Sequence, residues 1–217
     1  MARKQATSSQ NFLNILGSTG KWHLTVPLGT EGSVVRDYET SDGKKGSKNE
    51  LLFDAVGGKI IDMEIREGDY GTNIILAVMH EDGVDHLSFA TASPFGEDLM
   101  KKFPNIDLKE EVEFSPFNFI DEKGKNRRGL SVKQGENKIE NYFTKEVKSK
   151  KGEGTIKEAD HGLEKIALPK PKGKAGKISK EQWKMYFASI REFLLDYTQE
   201  HVVDPFKATK KEEDDKF

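Results

Sequence analysis

Apolar and polar positions alternate with a period of two through most of residues 59–134, and the alternation is interrupted once. In residues 59–66, Ile61, Met63 and Ile65 fall on one face while Asp62 and Glu64 fall on the other. Residues 72–80 and 86–92 continue as strand-like runs, joined by loops at 67–71 and 81–84. The second loop contains Asp82-Gly83, a good hairpin signal. At Ser93-Pro94 the period changes. Ser93 can cap a helix that begins on Pro94, and Leu99, Met100 and Phe103 supply its apolar face before Pro104-Asn105 ends it. Residues 111–121 and 127–134 then alternate again. Pro116 cannot donate a ladder hydrogen bond, so it predicts a bulge or an edge. Three strands, a helix and two strands in this order predict a five-stranded Greek-key barrel, the OB-fold.

The flanks carry weaker patterns. Residues 10–16 hold Phe12, Leu13, Ile15 and Leu16, which suits a short helix or docking segment stopped by Gly17. Residues 21–26 alternate Trp22, Leu24 and Val26 against Lys21, His23 and Thr25, a strand ended by Pro27. Residues 33–40 and 51–56 suit further strands, with a Gly- and Lys-rich turn at 41–47 between them. Beyond the barrel, residues 181–203 place Trp183, Phe187, Ile190, Leu194 and Tyr197 at helical spacing, and Asp204-Pro205 is expected to end that helix. The fold class expected is therefore mainly β: an OB-fold barrel with extra N-terminal strands, a short inter-strand helix and a C-terminal amphipathic helix. The division expected is a flexible segment over 1–20, the OB-fold domain with its extension over 21–143, a linker over 144–180, the helix over 181–203 and an acidic disordered tail over 204–217.

Composition changes this picture in two places. Of the 217 residues, 35% are hydrophobic and 33% charged, so a barrel core is within reach but segments must lie outside it. The net charge of −2 hides a strong asymmetry: residues 144–180 hold eleven lysines and five acids, a local charge of +6, which predicts a solvated basic loop or linker. There is no cysteine, so disulfides, thiolate catalysis and Cys-ligated zinc are excluded. No apolar run approaches a membrane span and no signal peptide is evident, which predicts a cytoplasmic protein.

The side chains that bear chemistry are aromatic and basic. Single-strand binders combine a cationic groove with rings on which bases stack. Trp22, Tyr38, Tyr70, Phe117 and Phe119 are the candidate rings, and Lys123, Lys125, Arg127, Arg128 and Lys133 the candidate cations. Tyr70 falls in the first barrel hairpin and residues 123–128 in the last, the two loops that flank the ligand in this fold. The plainer alternative is that Phe114, Phe117 and Phe119 are core and the basic cluster is an ordinary hairpin tip. His80 and His86 flank a tight hairpin near Glu81, Asp82 and Asp85, where a metal site is drawn less readily than a solvated turn. No Walker loop, Gly-x-Gly-x-x-Gly, Gly-x-Ser-x-Gly or His-Glu-x-x-His is present, so neither an enzyme nor a cofactor is predicted.

Several short motifs coincide with one family. With Gly58-Lys59-Ile60, Asp69-Tyr70-Gly71, Phe103-Pro104-Asn105, Ser115-Pro116-Phe117-Asn118-Phe119 and the run from Asp121 through Arg127-Arg128-Gly129 to Val132, residues 51–143 resemble the phage-encoded single-stranded DNA-binding proteins with an OB-fold core. The resemblance implies a barrel that coats single strands in replication, recombination and repair, in the host cell cytoplasm. It also implies that an acidic tail, here Glu212, Glu213, Asp214, Asp215 and Phe217, recruits replication or recombination proteins. The chain departs from the family where Lys210, Lys211 and Lys216 dilute those acids, and in the basic insert over 144–180. A monomer or weak homo-oligomer without membrane contact is expected. The alternative function is a protein-interaction barrel, a replisome or virion adaptor that uses its terminal helix and does not touch DNA.

Overall fold

The alternating region becomes five strands and a helix in the computed structural model, which describes residues 11–40, 42–69, 71–148, 155–159 and 178–214. The strands are β1 (Asn11–Leu16), β2 (Lys21–Val26), β3 (Val34–Glu39), β4 (Lys45–Phe53), β5 (Val56–Gly68), β6 (Gly71–His80), β7 (Gly83–Ala90), β8 (Glu111–Ile120), β9 (Asn126–Gln134), β10 (Asn137–Lys138), β11 (Thr144–Lys148) and β12 (Thr155–Ala159). The helices are α1 (Pro94–Lys102) between β7 and β8, then α2 (Lys180–Thr198) and α3 (Asp204–Asp214).

Ten strands form one open, mixed sheet in the order β10-β9-β8-β5-β6-β7-β1-β2-β4-β3, and β11 pairs with β12 apart from it. The expected mainly β class holds, as an open sheet among the described residues and not as a closed five-stranded barrel. Closure of the barrel requires β9 at the outer edge of β7, and β1 takes that edge instead, in parallel, with Phe12 opposite His86 and Leu13 opposite Leu87. Residues 10–16 were expected as a helix or docking segment. Their alternation places Leu13 in the core while Asn14–Leu16 pair with β2. The sheet nevertheless curls. Gly20, with φ of +67°, turns β1 into β2 directly against β8, where a Cβ would lie 2.3 Å from the Asn118 nitrogen.

The core lies inside this curl. Trp22 is fully buried, its indole N–H donates to the Phe114 carbonyl at 2.9 Å, and its ring meets Phe89 edge-on at 5.1 Å. Phe89 in turn meets Phe114 at 5.6 Å. Ile74, Leu76 and Val78 of β6, Leu87 of β7, and Leu130 and Val132 of β9 complete the layer. Helix α1 starts as expected, with the Ser93 hydroxyl accepting from the Gly96 N–H at 3.1 Å and Pro94 in the first turn. It closes over β9: Asp98 accepts the Leu130 N–H at 3.0 Å and Lys102 donates to the Leu130 carbonyl. Burial pushes the Lys102 ammonium below its ordinary pKa, opposed by Asp98.

A second, polar knot ties β2, β3 and β4. Glu50 is fully buried and receives two hydrogen bonds from Arg36, Nε at 2.7 Å and a terminal nitrogen at 2.6 Å, while His23 Nδ1 lies 3.2 Å away. The Arg36 hydrogen bonds hold the Glu50 carboxyl below the usual carboxylate range. Burial, more than the neighbouring Arg36, holds the His23 imidazole below its own, with Glu50 opposing. Both groups are depressed by folding, so both contribute stability that is lost as pH falls. The His23 contribution fades below about 6.5 and the Glu50 contribution below about 4.5. Glu50→Ala is expected to lower the unfolding free energy by about 2–3 kcal/mol. That is less than for a fully enclosed pair because Arg36 can turn to water. Urea midpoints between pH 7 and 4 should show the acid loss in the parent protein and a flatter profile below 4.5 in the variant. Equal profiles would overturn the assignment.

The C-terminal region differs most from expectation. Helix α2 opens with a capping box between Ser179 and Gln182 and buries Tyr186, Ile190 and Leu194. Pro205 does not end it. A wide π turn over Gln199–Val203 leads directly into α3, and Pro205 stands second in that helix. Glu212, Glu213 and Asp214 therefore stand on a helix where a disordered tail was expected, while Asp215 and Phe217 lie outside the described residues. Lys210 holds α3 to β5 by donating to the Ile61 carbonyl at 3.0 Å, with Asp62 at 3.7 Å. Within 144–180, expected to be a linker, the backbone of β11 and β12 forms a hairpin ladder. Among the described residues no helix is long and apolar enough to cross a membrane.

Candidate nucleic-acid interface

Strands β8 and β9 outrun their neighbours. Their mutual register is unbroken from Glu113–Lys133 to Ile120–Asn126. On the β8 side, however, β5 pairs only as far as Phe114, and on the β9 side β10 pairs only Lys133 and Gln134. Pro116 sits just past the end of the β5 pairing, so it marks an edge and no bulge forms there. Residues 115–132 thus form a two-stranded arm. Its middle is fixed by the Asn118 side-chain amide, which donates to the Gly17 and Ser18 carbonyls at 2.8 Å each.

The tip is a braced turn. The Asp121 carboxylate accepts the N–H groups of Lys123 at 3.0 Å and Lys125 at 2.8 Å, and the Arg127 Nε at 2.8 Å. The Lys125 N–H first, and then Arg127, hold its carboxyl below the usual range. Asp121 therefore stays ionised and fixes the curvature of the loop. It neutralises one cation and leaves Lys123, Lys125 and Arg128 exposed, without an ion pair among the described residues.

Register sorts the arm's side chains into two faces. Phe117 stands opposite Gly129 and Phe119 opposite Arg127, so both rings and Arg127 share one face. The rings lie 5.8 Å apart, tilted by 43°. Phe117 covers Gly129, where a Cβ would lie 2.8 Å from the ring, and is half-buried for that reason. Phe119 is 54% exposed. Two adjacent rings, one largely free, beside a guanidinium and a basic turn form a surface able to stack bases and hold phosphates.

The structure divides the remaining predicted residues. Trp22 is excluded as a stacking ring: it is core, and its one polar atom is already bonded to Phe114. Tyr38 is half-buried on β3, at the far end of the strand order from the arm, with its ring over Gly46 and the Lys48 ammonium 5.2 Å from the ring centroid. Lys133 lies at the root of the arm, 3.8 Å from Glu113. Tyr70 lies outside the described residues. Two residues at the end of the arm escaped the sequence reading. Asp121 was legible in principle, as an Asp three residues before the turn glycine Gly124. Ile120 carried no signal in its type; only its 73% exposure at the end of β8 singles it out. No family model, curated protein or solved structure matches the chain.

Proposed function

We propose that this protein binds single-stranded DNA without sequence preference and protects it during replication, recombination and repair. On this reading β5, β6, β7, α1, β8 and β9 keep the OB-fold order, opened at one edge by the β1–β2 hairpin. Phe119 and Phe117 stack bases, while Arg127, Arg128, Lys123 and Lys125 hold phosphates. The observation that carries the proposal is the arm itself, a hairpin free of neighbouring strands with two rings and a guanidinium on one face. The test is fluorescence anisotropy of a labelled ~30-nucleotide single strand and its duplex across a salt series. With Arg127 already neutralised by Asp121, the three free cations predict a log–log salt slope of about −2 and preference for the single strand. No binding to the single strand at low salt would sink the proposal.

A second reading, a protein-contact module, draws on α2, where Met185 and Phe187 are 61% and 46% exposed. Substituting both with serine should leave DNA affinity unchanged if the arm is the DNA site, and a loss of affinity would implicate the helix.

A further inference from the structure

The arm has a second face, of which single-strand binding uses Arg128 and leaves Ile120 unused. Ile120 stands opposite Asn126, and Asn118 opposite Arg128, so Ile120 and Arg128 point away from the Phe117–Phe119–Arg127 side. Ile120 is 73% exposed at the free end of β8. Each face of the free end thus carries an apolar group with an arginine on the same face: Phe119 directly across from Arg127, and Ile120 two pairs outward from Arg128. The last pairs, Phe119–Arg127 and Ile120–Asn126, extend past the Asn118 anchor. Within residues 115–132 the arm holds four cations against Asp121 and Glu122, the charge that suits a polyanion.

A single strand stacks on one apolar face and can take phosphate contacts from either, whereas two apolar faces suit two strands diverging around the arm. Apolar side chains set between base steps unstack them and replace the lost stacking contact. From this symmetry we propose that the β8–β9 arm is a wedge for the junction between duplex and single-stranded DNA. Ile120 and Phe119 abut the terminal base pair, Arg127 holds the strand stacked on the phenylalanines, and Arg128 holds the phosphates of the other strand. The proposal rests on the single-strand reading and adds a structural preference to it.

The test compares the affinity of the full chain for three labelled DNAs at one salt concentration: a single strand, a blunt duplex and a fork whose arm matches the single strand. The fork is expected to bind about five- to tenfold tighter than the single strand. Ile120→Ser, at an exposed position that carries little of the fold, should bring the ratio to about one while single-strand affinity stays within twofold. A 2-aminopurine at the terminal pair should brighten on binding of the parent protein and not of the variant. Equal parental affinity for fork and single strand overturns the wedge and leaves the single-strand reading standing. A fork preference that survives Ile120→Ser also overturns it, and absence of any single-strand binding overturns both.

Discussion

Trp22→Ala is expected to unfold much of the population at 37 °C, with a loss of about 3–5 kcal/mol. The side chain is fully buried at the point where β2 meets β8, and its removal takes away the edge-on contact with Phe89 and the N–H bond to the Phe114 carbonyl. These contacts help the open sheet curl, so the loss falls on the enclosure of the core as well as on one cavity. Trp22→Phe separates the terms. It retains a ring against Phe89 and strands only the Phe114 carbonyl, at a cost of about 1–2 kcal/mol. Because Trp22 is core, the Phe variant should bind single-stranded DNA within twofold of the parent once both are folded. A tenfold loss of affinity with an unchanged urea midpoint would restore Trp22 to the stacking surface and overturn its assignment to the core.

That residue also marks the limit of what the sequence discloses. Alternation placed the side chains of β2 correctly on two faces, and the same period located β5 to β9, the Ser93 cap and the start of α2. Alternation does not say which face is covered, because Trp22 inside a sheet and Trp22 on a binding platform produce one pattern. Coverage depends on which strand lies next to which. Here that was decided by β1 docking parallel to β7, a pairing between residues more than seventy positions apart with no local signature. The C-terminal segment failed for a different reason. Asp204-Pro205 is a sound stop signal for an α-helix, but here a π turn precedes it, Pro205 falls in the first turn of α3 where it is tolerated, and Lys210 anchors that helix to β5. The basic turn was legible because its charges are contiguous. The free two-stranded arm that presents them was not, since it follows from where β5 and β10 stop.

Phe119→Ala is expected to weaken single-strand binding about tenfold to a hundredfold, the loss of one stacked base at about 1–3 kcal/mol, while leaving the fold intact. Phe119 is 54% exposed and touches mainly Phe117, so its truncation opens no core cavity. Phe117→Ala is less clean because that ring also covers Gly129, and part of its effect should appear as lost stability. Arg128→Ala provides the contrast. Its guanidinium has no ion pair among the described residues, so its removal disturbs neither Asp121 nor the turn, unlike removal of Arg127. Stacking on Phe119 is a contact between neutral faces and releases no counterion. Its loss should lower affinity by one factor at every salt concentration and leave the slope of log affinity against log salt unchanged. A lost phosphate contact at Arg128 should instead reduce that slope by about 0.7, with a penalty that shrinks as salt rises. Two parallel lines for Phe119→Ala and converging lines for Arg128→Ala would assign stacking and charge to the two residues. If Phe119→Ala left affinity unchanged at every salt concentration, the ring pair would have no part in binding, and the arm would lose the observation on which its function rests.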